Sequence, residues 1–271
     1  KTVKSGVKLI QGKKSIVTKV YIPKFVFIFD KIGVSKAYSV VDYGLLESCV
    51  RDELNANAAR AMAVLRPLKV VIDNYPEGQT ETLDVEIHPD HPEMGTRKVT
   101  FGKTLYVEQE DFMIEPVKKY FRLFPGNEVR FRGAYFLTCT SYDLDENGEV
   151  TAIHCTYDPD SKGGNSPDGR KVKGTIHWAG PNAFKAEVRL YDRLFTVEDP
   201  ASVSDEEFPS VINENSLVVL KDCLIEETIK DAAPESSFQF MRNGYFCVDK
   251  DSTKDKMIFN RTVQLNSSWG K

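Results

Sequence analysis

From Arg60 onward the chain keeps returning to one pattern: short runs in which apolar and polar residues alternate, each closed by a turn signal. A period of two sends successive side chains to opposite faces, so each run predicts a strand with one buried face. The clearest case sets Val172, Gly174, Ile176 and Trp178 against Lys171, Lys173, Thr175 and His177. Residues 67–75 form another run, ended by Pro76-Glu77-Gly78. Residues 127–143 form a third, ended by Asp145-Glu146-Asn147-Gly148, where Asn-Gly suits a hairpin with positive φ at both central residues. Residues 150–157 then put Ile153, Cys155 and Tyr157 on one face, and further strands are predicted at 186–195, 217–220, 238–248 and 257–265. Many short strands with few helices predict antiparallel barrels or sandwiches, and the length is enough for two small barrels.

One helix is predicted ahead of the strands. Residues 45–54 place Leu46, Cys49, Val50 and Leu54 on one face at helical spacing, with Asp42 as a cap and Asn55-Ala56-Asn57 as a stop. Residues 1–24 are Lys-rich and show no period. A weak internal repeat pairs Arg132-Gly133-Ala134-Tyr135-Phe136 with Arg242-Asn243-Gly244-Tyr245-Phe246, each after an alternating strand. It fits duplication of one β unit, with Arg132 and Arg242 at related strand ends. Residues 161–169 read as a mobile surface loop and residues 199–209 as an acidic connector.

Composition sets the outer limits. With 41% hydrophobic and 28% charged residues, the chain is no disordered polymer. It has no apolar run long enough to cross a membrane, and its most apolar stretch, residues 21–29, is broken by Pro23 and Lys24 with no cleavage site after it. The five Cys are odd in number, scattered and never two apart by C-x-x-C, which predicts buried free thiols in a reducing, cytoplasmic compartment. His88 and His91 lack a nearby Cys or further His, so a polar loop is favoured over a zinc site and no metal is expected.

No nucleophile elbow, phosphate loop, dinucleotide fingerprint or zinc-protease motif is present. The best local signal is residues 116–132, where Lys118, Lys119, Arg122, Arg130 and Arg132 face one acid, Glu128. Arg130 and Arg132 are two apart on a strand and so share a face, with Val129 and Phe131 toward the core. Such guanidiniums fork onto phosphate or base edges, and the interleaved Tyr120, Phe121 and Phe124 suit stacking of an unpaired base. A second basic run holds Arg170, Lys171 and Lys173, placed to meet backbone phosphate. Pattern alone favours the plainer readings, a solvated basic face over buried aromatics for the first run and an ordinary exposed hairpin for the second. The net charge of −4 confines any RNA contact to a local patch on an acidic body.

Eight stretches, collinear from about residue 31 to the end, resemble the C-terminal half of the glutaminyl-tRNA synthetase family: residues 45–75, 91–99, 126–136 (GNEVRFRGAYF), 168–179, 187–195, 210–219, 238–249 (FQFMRNGYFCVD) and 259–263. The resemblance implies a mainly β fold of two tandem antiparallel β-barrels, of the kind also seen in a ribosomal protein that binds 5S RNA, behind a short α-helical connector. It implies a connector over residues 1–59 (1–24 unmatched), a first barrel over 60–180 and a second over 181–271, with strand exchange between them possible. The family's ATP-site signatures, His-Ile-Gly-His and one like Lys-Met-Ser-Lys-Ser, are absent, and Gly33-Val34-Ser35-Lys36 matches a connector instead. This part alone is therefore expected to bind no ATP, cofactor or metal and to catalyse nothing, while its parent would be a glutamine–tRNA ligase using ATP.

By position, the resemblance assigns Arg130 and Arg132 to the first anticodon base, Arg60, Gln239 and Arg242 to the middle uridine, and Arg122 to the third base of glutamine tRNA. Lys119, Arg170, Lys171 and Lys173 are expected on the tRNA backbone. Lys119 and Phe121 stand where the family often has Gln and Lys, and residues 1–24 replace a Gly- and Arg-rich turn. Gln239 and Arg242 are three apart, so the turn at Asn243-Gly244 must bring Arg242 back, and Arg60, Arg130, Arg132, Gln239 and Arg242 are expected on one concave surface. A cytoplasmic monomer is expected. The rival readings are a glutamyl-tRNA synthetase, opposed by residues 245–249 and 259–263, and a ribosomal-RNA-binding barrel protein, opposed by the helical lead-in.

Overall fold

The computed structural model describes residues 43–197, 199–200 and 202–266; the cap at Asp42, the Lys-rich start and Gly33-Val34-Ser35-Lys36 lie outside them. Helix α1 (Tyr43–Asn57) stops at the predicted Asn55-Ala56-Asn57. Cys49 of its predicted apolar face is buried, and Val50 and Leu54 pack on Ala58, Tyr245 and Val263.

The rest is mainly β, in two nearly closed barrel-like sheets. In chain order the strands begin with β1 (Ala59–Ala61), β2 (Ala63–Val64), β3 (Pro67–Ile72), β4 (Thr80–Glu86), β5 (Thr96–Gly102) and β6 (Thr104–Glu108). They continue with β7 (Glu128–Phe131), β8 (Phe136–Leu144), β9 (Val150–Asp158), β10 (Thr175–Ile176) and β11 (Phe184–Tyr191). The last are β12 (Leu217–Ile225), β13 (Ser237–Phe240), β14 (Gly244–Val248) and β15 (Met257–Val263).

One sheet runs β10-β7-β8-β9-β3-β6, and paired hydrogen bonds between Tyr106 and Ala179, both 2.9 Å, draw its ends together. The other runs β1-β13-β14-β15-β11-β12-β2, and its two edge strands are consecutive in the chain, with only Met62 between them. Bringing the edges together removes the unpaired backbone that an open sheet exposes. Sheet membership therefore does not follow chain order, because residues 59–64 belong with strands that come after residue 183. Most pairings are antiparallel, but β1 with β13, β3 with β9, β7 with β10 and β11 with β15 are parallel.

Each sheet wraps its own core. Phe101, Phe131, Leu105, Leu123 and Trp178 are buried in the first, and Phe240, Phe246 and Phe259 in the second. Burying each such side chain is worth about 1.5–3 kcal/mol. The ribbon of β4 and β5 lends Leu83, Val85, Val99 and Phe101 to the first core.

Three predicted runs resolve differently. Residues 127–143 and 238–248 are each two strands, because a tight turn splits them at 131–135 and 240–244. In both, the third turn residue has positive φ: Gly133 at 68° and Arg242 at 67°. The turn geometry thus pairs Arg242 with Gly133, one place off the pairing with Arg132 suggested by the sequence repeat. The loop after β8 has positive φ at Gly148 alone, since the Asp145 carboxylate accepts from the Asn147 and Glu149 amides and sets a wider turn than Asn-Gly would. Of residues 172–178 only β10 is a strand, and His177, placed on the polar face by the alternation, is buried between Glu108 of its own sheet and Arg242 of the other.

The loop 161–169 is anchored: Ser161 is fully buried, and its hydroxyl accepts from the Phe136 amide at 2.8 Å. Residues 199–209 lie in the long excursion between the paired strands β11 and β12. All five Cys are free thiols, four of them buried.

Candidate nucleic-acid interface

The basic residues are positioned by β7 and by the chain that runs beside it. The Arg130 amide donates to the Gly174 carbonyl at 2.8 Å and the Arg132 amide to the Ile176 carbonyl at 3.0 Å. Residues 174–176 are thereby held along β7. Gly174 in turn lies flat against the Phe121 carbonyl, so close that an added Cβ would fall 1.9 Å from that oxygen. This close approach brings the basic segments 119–122 and 170–173 to one place. Lys173 sits with its ammonium 5.1 Å from the centre of the exposed Phe121 ring.

At the junction with the second sheet lies an open groove of about 640 Å³, lined by Lys119, Tyr120, Phe121, Arg122, Thr175 and Arg242 among others. It adjoins a smaller cavity of about 120 Å³ floored by Glu108, Asp111 and His177. Arg242 reaches across from the turn between β13 and β14 and forks onto Asp111, with contacts of 2.6 and 2.7 Å. Arg122 approaches the same carboxylate at 3.1 Å. Burial alone would lower the Arg242 pKa, but the hydrogen-bonded Asp111 carboxylate outweighs it and the net shift is upward. Burial, with the Asp111 charge behind it, raises the Tyr120 phenol to about 12.

Glu108 ties the cavity floor to the second sheet. Its oxygens accept from the Leu65 and Arg66 amides at 2.8 and 2.9 Å and from the Asn243 side chain at 3.0 Å. Burial pushes this carboxyl up, yet His177 and the two amides hold it below its ordinary value. The His177 ring is wedged 3.5 Å from Glu108 and 3.5 Å from Arg242, distances too long for strong hydrogen bonds.

The other assigned residues form two further groups. Arg130 and Arg170 flank the Phe136 ring at 5.3 and 5.1 Å, and the Arg130 Nε is buried without a partner. Arg170 is held by Glu128 at 2.9 Å and by Asp158 and Asp168, so much of its charge is answered within the protein. Arg132 lies just past the end of β7, in the turn, and both it and Arg130 are partly exposed while Val129 and Phe131 are buried.

The third group gathers at the C-terminal end of α1. Arg60 and Gln239 are register partners on β1 and β13. Arg60 is buried, donating to the Ala58 carbonyl at 2.8 Å and to Asn55 at 2.9 Å, where a cation answers the exposed helix carbonyls. Burial lowers its pKa and the nearby charge of Arg132 adds to this, against Tyr245 and Asp90. Gln239 donates to the Tyr245 hydroxyl at 3.1 Å, and Tyr245 donates to Asn55 at 2.9 Å. The turn therefore sends Gln239 and Arg242 to different partners, Gln239 to Tyr245 and Arg242 to Asp111.

Lys171 is exposed and free to meet a polyanion's charge. His88 is buried against the Asn55 carbonyl at 3.1 Å, and His91 contacts Glu93. Among the described residues no group of three or more metal-ligating side chains occurs. Sequence reasoning missed Asp111, Glu108 and His177. Single acidic residues carry no periodic signal, and only the meeting of the two sheets reveals these.

The architecture defines a class: a double-barrel module whose junction presents guanidiniums, ammoniums and flat rings together, the set that single-stranded RNA requires. Family comparison agrees. The models described as tRNA synthetases class I (E and Q), anti-codon binding domain, match residues 58–158 and 175–249. The chain belongs to this family of anticodon-binding domains.

It is 53% identical over 242 residues to a glutamine–tRNA ligase of Bradyrhizobium diazoefficiens, covering 89% of this chain and 43% of that protein. Against the glutamine–tRNA ligase of Aliivibrio salmonicida the identity is 53% over 88% of this chain and 43% of the relative. Against that of Clostridium perfringens it is 52% over 92% and 45%. The chain thus spans less than half the length of the curated relatives it matches.

Proposed function

We propose that this chain holds the anticodon loop of glutamine tRNA for a glutamine–tRNA ligase, whose ATP-dependent chemistry resides in a catalytic part outside this sequence. The observation that carries the reading is the groove where Arg122, from the segment between β6 and β7, and Arg242, from the turn between β13 and β14, converge beside Lys119, Tyr120 and Phe121. Splayed-out bases offer edges to guanidiniums and faces to rings.

In this reading Arg122 reads the third anticodon base, Arg130 and Arg132 the first, and Arg60, Gln239 and Arg242 the middle uridine. Lys119, Lys171, Lys173 and the flank of Arg170 follow the backbone. The working units are residues 60–180 and 181–271, with the segment 59–64 exchanged into the sheet of the second. The module uses no metal or cofactor, performs no chemistry alone, and works as part of a cytoplasmic monomer.

The test is binding of the chain to an anticodon stem-loop of glutamine tRNA and to loops with each anticodon base replaced, at several salt concentrations. Preference for the unaltered loop is expected. Equal affinity for all loops would reject anticodon recognition, and ATP–pyrophosphate exchange with glutamine by the chain alone would reject the division of labour.

A further inference from the structure

Asp111 lines the small cavity that adjoins the groove and is fully buried. It ends the short turn Gln109–Asp111, and its backbone carbonyl accepts from the Leu123 amide at 2.9 Å, which fastens the turn to the segment bearing Arg122. One of its carboxylate oxygens takes Arg242 Nη2 at 2.6 Å and Arg122 Nη1 at 3.1 Å; the other takes Arg242 Nη1 at 2.7 Å. A carboxylate is costly to bury unless its lone pairs are used, and here both of its guanidinium partners come from the groove wall. The arginine side chains remain 40% and 32% exposed, so neither is withdrawn from solvent.

The backbone points the same way. Arg242 has φ 67°, a left-handed conformation that costs free energy for any residue with a Cβ. The matching turn of the first sheet places Gly133 there, at φ 68°. A guanidinium at this turn position, held against conformational cost and clamped from below, has the character of a part set in place beforehand.

We propose that Asp111 is a positioning residue for base readout, fixing Arg122 and Arg242 before RNA arrives. This rests on the anticodon reading given above. The charge balance separates it from a purely structural role. Two cations share one anion, so neutralising Asp111 leaves the groove more positive. Overall attraction for RNA should then hold or rise, while selectivity at the bases these arginines read should fall. Damage to the fold would lower both.

The experiment compares the full chain and its Asp111→Asn variant on the anticodon stem-loop of glutamine tRNA and on loops altered at the middle or third anticodon base. For Asp111→Asn the affinity ratio between unaltered and altered loops is expected to drop roughly tenfold, the scale of one good bidentate base contact, with no loss of affinity for the altered loops. A folded variant that keeps the wild-type ratios overturns the positioning role while the anticodon reading stands. A wild-type chain without preference among the loops overturns both.

If Asp111→Asn does not fold, nitrogen-15 spectra of the free wild-type chain decide, with Arg242→Lys to assign the signal. Hindered rotation of the Arg242 guanidinium before RNA is added supports the clamp, and free rotation that is arrested only on binding overturns it.

Discussion

Arg97 and Glu226 meet at 2.6 Å between the β4–β5 ribbon and the end of β12, with side chains only 7% and 0% exposed. Glu226 also accepts from the Met62 amide at 2.8 Å and from Thr228, and Arg97 donates to the Glu86 carbonyl. The adjacent Glu227 accepts from the Thr100 amide at 2.8 Å. Two consecutive carboxylates thus hold the ribbon of the first core against the second sheet.

Glu226→Ala would leave the Arg97 charge buried and unpaired. Removing one partner of such a pair costs about 3–5 kcal/mol, so the urea midpoint of unfolding should fall accordingly. A loss below about 1 kcal/mol, the ceiling usual for exposed pairs, would show that water reaches this contact in solution.

Gly174→Ala should act on stability and RNA binding together. The new Cβ meets the Phe121 carbonyl, a backbone atom that cannot rotate away, so about 1–3 kcal/mol of overpacking is expected. The displaced segment bears Arg122 and Phe121, so affinity for the anticodon stem-loop should drop as well. Unchanged thermal stability and binding would contradict the close approach of these two segments.

The strands that alternate strongly were legible in the sequence. Residues 150–157 lie within β9 with Ile153 and Cys155 buried, and 257–263 form β15. Strands β4 to β6 were not read, although Leu83 with Val85, and Arg97 with Val99 and Phe101, show the same period; charged residues between them diluted the apolar signal. Arg122 and Arg242, which line the groove, stand out in the sequence as basic residues and by resemblance. Their partners were not, because Asp111 and His177 gain meaning only when sheets distant in sequence meet. His177 shows the limit most clearly, since period two puts it outside, yet it is buried beside Glu108 and Arg242.

His154 bridges Asp73 and Asp143, 3.0 Å from each. Hydrogen bonds to these two carboxylates raise its pKa above the ordinary value. Its contribution to stability is therefore complete below the unfolded imidazole pKa, about 6.5, and is lost as pH rises through the higher folded value. Because the site is partly exposed, the effect should be about 1 kcal/mol or less. Urea midpoints of wild type and His154→Gln should converge at alkaline pH and separate on the acid side. A gap that widened with rising pH would contradict the sign.

Arg132 and Lys171 should fail in different ways. On the proposed reading Arg132→Ala removes a bidentate base contact worth about 1–3 kcal/mol, and a ligase carrying it should charge glutamine tRNA slower by roughly one to two powers of ten. Lys171→Ala should weaken binding to all loops alike and flatten the logarithmic salt dependence by about 0.7. An Arg132→Ala enzyme as active and as selective as wild type would remove Arg132 from the readout.

The short segment that supplies both edges of the seven-stranded sheet has a consequence for how the molecule is made. During synthesis residues 59–64 leave the ribosome long before β12 and β13, which must flank them, exist. The whole first barrel is inserted between these early strands and their partners, so it can close while the second is still waiting for its seam. Cleaving the chain between the two barrels would accordingly not release two complete halves. The C-terminal piece would be left with an open sheet, two raw edges and a tendency to pair with its own copies, until a peptide bearing residues 59–64 was returned to it.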